Sequence, residues 1–175
     1  GGSGSGGSGN KGTTGNPVKV GYDGTWELLN PEEAKNNLDA SRWVFNLRTG
    51  GRITGWAYLS YTYDGQTKSS WYHFGTDNKM DSGWFFDGAN NKWYYLSMEH
   101  NGFFGEMKTG WILDAGRWYY LNPSSGEMLT GWVSIANEFY YLNTSPGQAG
   151  KPYGAMYQSE RTPDGYNVNE RGVWY

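Results

Sequence analysis

From Ser41 onward the chain alternates short aromatic bursts with polar turn residues, and the bursts repeat. The runs are Trp43-Val44-Phe45, Trp71-Tyr72-His73-Phe74, Trp93-Tyr94-Tyr95-Leu96, Trp118-Tyr119-Tyr120-Leu121 and Phe139-Tyr140-Tyr141-Leu142. Each is short, rich in strand-favouring residues and followed by Asn, Ser or Gly, which reads as a strand ending in a turn. Gly-Trp pairs recur at 55-56, 83-84, 110-111 and 131-132, at spacings of 28, 27 and 21 residues. A recurrence at that period marks a repeat array.

After the fourth run, Asn122-Pro123-Ser124-Ser125-Gly126 reads as a turn and Glu127 to Leu129 as a second strand. One unit is then a β-hairpin of about 12 residues, joined to the next by a connector that holds the Gly-Trp pair. A lone hairpin is marginal in water, whereas stacked ones share a core. The pattern therefore predicts an all-β fold, a solenoid of stacked β-hairpin repeats over residues 41–160. Strand alternation puts Leu96, Leu121 and Leu142 on the core face and the first and third run positions on a second face. The glycine of each Gly-Trp pair lets two backbones approach.

The flanks differ in texture. Residues 1–16 carry no apolar side chain to bury and read as a flexible Gly/Ser linker. An opening Gly1 in place of Met fits a processed or excised form. Residues 17–40 form a lead-in, with strands at Val18 to Val20 and Thr25 to Leu29. A short α-helix over Pro31 to Leu38 is signalled by Asn30 at the N-cap, Pro31 at N1 and Glu33 at N3. Residues 161–175 read as a terminal capping hairpin turning at Pro163-Asp164-Gly165.

Composition narrows the chemistry. Aromatic residues make up 18% of the chain and charged residues another 18%, below the usual quarter for charge. A net charge of -3 leaves no basic footprint for nucleic acid. No apolar window is long enough to insert in a membrane. Without Cys there is no disulfide, thiolate metal site or Cys nucleophile.

The registered string Gly110-Trp111-x6-Trp118-Tyr119-Tyr120-Leu121-x4-Gly126-x-Met128-x-Thr130-Gly131-Trp132 resembles the cell-wall-binding, or choline-binding, repeat of Gram-positive surface proteins, with relatives among glucan-binding repeats. The resemblance covers about 120 of 175 residues. It implies a superhelix of hairpins with a ligand cage between successive ones, where two indoles and a tyrosine enclose a choline headgroup by cation–π attraction. Carried over by position, one cage offers Trp111, Trp118 and Tyr141. A second offers Trp84, Trp93 and Tyr120 with Met128 nearby. A third offers Trp56, Trp71 and Tyr95 with Met107 nearby. Fourteen residues separate Trp56 from Trp71, where six separate Trp111 from Trp118, which displaces the third cage. Phe139 in place of Trp makes a cage with Trp132 poor.

The implied function is a non-catalytic module that binds teichoic-acid choline or a wall polysaccharide and holds a secreted protein on the cell wall of a Gram-positive bacterium. Two other readings stay open: glucan or host-glycan binding by ring stacking, and a purely structural or protein-interaction array. Exposed stacking surfaces at the two ends fit a homodimer. His73 occupies a run position that is Tyr elsewhere and reads as packing. His100 has no second His near it in sequence, and Asp64, Asp87 and Asp164 sit beside glycines as turn residues. No metal, cofactor or catalytic pair is nominated.

Overall fold

The computed structural model of the chain describes residues 24–40, 42–147 and 150–175. The expected linker over 1–16 and the strand at Val18 to Val20 lie outside the described residues. The strands are β1 (Gly24–Leu28), β2 (Trp43–Leu47), β3 (Gly55–Tyr63), β4 (Gln66–Phe74), β5 (Gly83–Asp87), β6 (Lys92–Leu96), β7 (Gly110–Asp114), β8 (Arg117–Leu121), β9 (Gly131–Ile135), β10 (Glu138–Leu142), β11 (Glu160–Arg161) and β12 (Asn167–Val168). Among the described residues each strand pairs with its sequence neighbour, giving six two-stranded sheets and an all-β fold with one tiny helix.

The hairpin is cut differently from the sequence expectation. Its arms are the Gly-Trp strand and the aromatic run, so the Gly-Trp pair begins a strand and is not a connector. β7 pairs with β8 so that Trp111 faces Tyr120 and Leu113 faces Trp118. The turn between them is Ala115-Gly116, with φ of 49° and 78°. Ala136-Asn137 closes β9–β10 with φ of 53° and 66°. Two consecutive positive φ values match a two-residue type I′ turn, whose twist suits antiparallel strands. Asn122 to Gly126 is a real turn, held by Asn122 Oδ1 accepting from the Ser124 amide at 2.9 Å. It leads only to a single bridge between Leu121 and Met128, not to a second strand.

The Gly of the Gly-Trp pair also has another reason than the one expected. At Gly55, Gly83, Gly110 and Gly131 φ lies at 78°, 77°, 79° and 78°. A Cβ on Gly55 or Gly110 would meet open space. The residue is needed for left-handed backbone at the strand entry, not for close approach.

Helix α1 is shorter than expected and covers Pro31–Ala34, followed by a 3-10 turn at Leu38–Ala40. Pro31 opens the helix as anticipated, but the Asn30 side chain makes no cap. Its oxygen accepts from the Arg42 amide at 3.1 Å, and its Nδ2 donates to Glu33 Oε1 at 2.9 Å. Strand β1 pairs with β2, Trp26 opposite Phe45, so the lead-in supplies one arm of the first hairpin.

The chain forms two compact units, one of residues up to Phe85 with Leu96–Met107, the other of Phe86–Tyr95 with Lys108–Tyr175. In the first, Trp26, Phe45, Leu59, Tyr61, Tyr72, Phe74 and Phe103 form the core. There the amides of Met80 and Met107 donate to the carbonyls of Trp43 and Trp71 at 2.9 and 2.8 Å. In the second, Met128 and Met156 donate in the same way to Trp93 and Trp118 at 2.7 and 2.9 Å. The residue after one run is thus tied to the first ring position of the run before it.

The longer first repeat keeps its register. β3 and β4 are each nine residues, against five in β7 and β8. Trp56 still faces His73 and Tyr58 still faces Trp71. The additional residues lengthen both arms beyond these pairs and do not shift the base of the hairpin.

Candidate functional site

In the second unit a cavity of about 430 Å³ is lined by Trp111, Trp118, Tyr140, Met156, Gln158, Glu170 and Arg171. Trp111 is set by its pairing across β7–β8, and Trp118 stands on the exposed face of β8. The two indoles meet at 6.2 Å and 89°, and Tyr140 meets Trp111 at 5.0 Å and 71°. Met156 forms a buried wall, fixed by the hydrogen bond its amide N–H donates to the Trp118 carbonyl. A Cβ on Gly172 would fall 2.5 Å from the Met156 sulfur, so the thioether occupies a notch that only glycine leaves open.

Tyr140 is held from the polar edge of the pocket. Its hydroxyl donates to Glu138 Oε1 at 3.3 Å, and Arg171 Nη2 donates to Glu138 Oε2 at 3.1 Å. Partial burial and the neighbouring Glu138 carboxylate push the Tyr140 phenol above its ordinary range. It is a neutral donor at physiological pH, and its ring face stays free of formal charge.

The pocket brings together Trp111 and Trp118 of the first expected cage but takes Tyr140 in place of Tyr141. Tyr141 lies opposite Trp132 in its own hairpin, 5.2 Å from that indole and 5.2 Å from Tyr157, and is buried. The ring at run position two reaches the preceding hairpin; the ring at position three packs on its own. Tyr120 behaves like Tyr141, lying 4.9 Å from Trp111 across its own hairpin.

The other expected cage residues are distributed between the units. Trp93, Tyr120 and Met128 belong to the second unit and Trp84 to the first. Trp93 meets Phe86 at 5.1 Å, while Met128 is buried with its sulfur at Gly154. Trp56, Trp71 and Met107 belong to the first unit and Tyr95 to the second. Trp56 packs edge-on against His73 at 4.9 Å and Phe85 at 5.8 Å, and Trp71 leans on Tyr58 at 5.2 Å. His73 is more than packing, since its Nδ1 lies 2.7 Å from Asp81 Oδ2. His100 stacks on Phe104 at 4.3 Å with Nε2 2.9 Å from Asp39 Oδ1. Among the described residues no three His, Asp or Glu side chains converge as a metal site.

A second aromatic cavity, of about 490 Å³, is lined by Trp132, Phe139, Asp164, Tyr166 and Trp174. The sequence predicts a poor Trp132–Phe139 cage and a capping tail. Phe139 meets Trp174 at 6.1 Å and Trp132 meets Tyr166 at 5.9 Å, both nearly perpendicular. One signal in the sequence marks these residues. Gly172-x-Trp174 repeats the spacing of Gly154-x-Met156, with Trp in the Met position.

Comparison with known proteins agrees with this repeat geometry. Residues 108–151 match the choline-binding repeat, and residues 82–97 match the putative cell wall binding repeat. Among curated proteins, none matches the sequence. Choline binding protein F from Streptococcus pneumoniae, crystallised in the presence of a peptidoglycan analogue, is 31% identical with a TM-score of 0.50, covering 77% of this chain and 44% of its own. The multimodular pneumococcal cell wall endolysin from phage Cp-1, complexed with choline, is 26% identical with a TM-score of 0.51, covering 91% of this chain and 39% of its own. The chain therefore spans less than half the length of these two structures. No helix among the described residues is long and apolar enough to cross a membrane. Matched repeats, a recurring hairpin register and shared architecture converge on one conclusion: the chain belongs to the choline-binding, or cell-wall-binding, repeat family.

Proposed function

We infer that the chain is a non-catalytic module that binds choline headgroups of wall teichoic acid and thereby holds a larger secreted protein on the bacterial envelope. The observation that carries this reading is the pocket of Trp111, Trp118, Tyr140 and Met156. Its indoles stand at right angles, so a quaternary ammonium between them meets two π faces and a phenol at once. Each ring contributes about 0.5–2 kcal/mol of cation–π attraction. Burial of the ligand methyl groups adds roughly 25 cal/mol per Å². The phage endolysin crystallised with choline supports the choice of ligand.

Within each unit, successive hairpins stack as turns of a solenoid, each tied to the one before by the Met amide. Repetition then raises avidity, because a second headgroup on the same polymer binds intramolecularly. A glycan reading draws on the polar edge of the same pocket, where Gln158, Glu170 and Arg171 offer hydrogen-bonding groups beside an indole. Choline titration followed by Trp fluorescence, with Trp118→Ala alongside, separates the two. Saturable quenching that weakens in Trp118→Ala supports choline. No response to choline at tens of millimolar, with retention on a glycan column, overturns it.

A further inference from the structure

We propose that the first unit carries a separate saccharide site, a polar cavity in which Asp77, Lys79, Asp81 and Ser82 hydrogen-bond the hydroxyls of a neutral sugar residue. The cavity holds about 380 Å³, and the buried rings of Trp43 and Phe104 form part of its lining. It lies between the 3-10 turn at Leu38–Ala40, the start of β2 and the connector that follows β4. That volume falls within the range of small-molecule sites. The place matches the aromatic pocket of the second unit, but the chemistry differs. The Met80 amide donates to the Trp43 carbonyl at 2.9 Å and its sulfur sits at Gly105, as Met156 does at Trp118 and Gly172. Trp26 meets Tyr72 at 5.1 Å, as Trp111 meets Tyr140 at 5.0 Å. In the first unit both rings are core residues, 3% and 2% exposed. That pair is closed to an ammonium ion, and the cavity beside it is lined mainly by charged and hydroxyl groups.

Three carboxylates, of Asp39, Asp77 and Asp81, face two cations, Arg42 and Lys79, so the formal charges of the wall nearly cancel. Among the described residues no three acidic or His side chains converge to hold a metal ion. A small ion of either sign meets as much repulsion as attraction there, whereas a neutral guest that both donates and accepts is matched on every side. Each carboxylate is fixed through one oxygen. Asp39 Oδ1 lies 2.9 Å from His100 Nε2, Asp81 Oδ2 lies 2.7 Å from His73 Nδ1, and Asp77 Oδ1 accepts from the Lys79 amide at 3.0 Å. Their second oxygens, the Lys79 ammonium and the Ser82 hydroxyl have no hydrogen-bond partner among the described residues. A guest hydroxyl set between an ionised acceptor and an ammonium donor makes charge-assisted bonds in both directions, each about twice as strong as a neutral one. A sugar ring offers such hydroxyls on adjacent carbons, and C–H groups for the rings of the lining.

The experiment titrates the whole ¹⁵N-labelled chain with the methyl glycosides of glucose, galactose and N-acetylglucosamine, then with inorganic phosphate, then with choline chloride. The backbone amides of Asp81 and Ser82 and the Trp43 indole report this cavity, and the Trp118 indole reports the aromatic pocket. At least one glycoside should move the first set saturably and leave Trp118 in place. Lys79→Met keeps the aliphatic stem, removes an exposed ammonium that holds no described partner, and should weaken that glycoside about tenfold. Ser82→Ala should weaken it by a smaller factor. Wild-type sugar affinity in both variants overturns the assigned contacts. Phosphate that moves the set where no glycoside does makes this an anion site and overturns the proposal. Glycoside signals at Trp118 alone, or none at all, reject the saccharide site. Choline movement of Trp118 in the same sample then leaves the choline reading standing, and its absence rejects that reading separately.

Discussion

The Met156 amide donates to the Trp118 carbonyl at 2.9 Å while the Met156 thioether occupies the notch at Gly172. One residue therefore faces two ways: its backbone ties it to the earlier hairpin and its side chain receives the later one. Met80 at Gly105 and Met128 at Gly154 repeat the contact. Pocket and stack share this joint, since Met156 is also a wall of the aromatic cavity.

The joint predicts which glycines are irreplaceable. Gly154 has φ of 86° and its position is filled by the Met128 sulfur, whereas Gly116 has φ of 78° and open space around it. Gly116→Ala should cost about 1 kcal/mol, the strain of left-handed backbone alone. Gly154→Ala adds overpacking of about 1–3 kcal/mol and should cost roughly 2–4 in total. Urea unfolding of the two variants checks the difference. Equal losses would mean that Met128 moves aside freely.

The type I′ turns predict an easy gain. Ala115 holds φ of 49° without the local hydrogen bonding that makes Asn tolerant there. Ala115→Asn creates the Asn-Gly pair favoured in such turns and should stabilise the second unit by about 0.5–1 kcal/mol. A lower unfolding midpoint than wild type would contradict the turn assignment.

Adjacent tyrosines should separate binding from folding. Tyr140 faces the Trp111 indole across the cavity, while Tyr141 is buried against Trp132 and Tyr157. Tyr140→Ala should weaken choline binding roughly twofold to thirtyfold, one ring's share of cation–π attraction. Tyr141→Ala should cost about 3–5 kcal/mol of stability, as large aromatic truncations in a core do. Calorimetry of both variants, for ligand and for unfolding, makes the comparison. A binding loss confined to Tyr141→Ala would restore the cage expected from position three.

What the sequence makes legible, and what it hides, follows from local signal strength. The core face is readable because Leu96, Leu121 and Leu142 recur in register, and all three are fully buried. The hairpin partner is misread because Asn122-Pro123-Ser124-Ser125-Gly126 signals a turn more loudly than Ala115-Gly116 or Ala136-Asn137. Positive φ at Ala is imposed by pairing of the flanking strands and leaves no trace in composition. Tyr140 and Tyr141 are the same residue type, so alternation alone cannot say which one reaches the neighbouring hairpin. The terminal cavity is hidden because Trp174 stands where the motif expects Met.

Alkaline pH should loosen the first unit through Tyr72. This residue is buried beside Trp26, and burial first, then the charges of Glu106 and ionised Tyr61, push its phenol far above the ordinary range. Glu106 is itself nearly enclosed, with Lys68 Nζ at 2.9 Å and Ser70 Oγ at 2.8 Å. The folded state keeps the Tyr72 proton while the unfolded chain loses it near pH 10. Stability from this group is complete below about pH 10 and falls above it by about 1.4 kcal/mol per pH unit. Tyr72→Phe cannot ionise and should flatten that alkaline slope by one proton's worth, at the expense of its hydroxyl contacts at neutral pH. Unfolding free energies between pH 9 and 11 for both proteins measure the difference in slope. Parallel curves would mean that Tyr72 is reached by solvent before the unit opens.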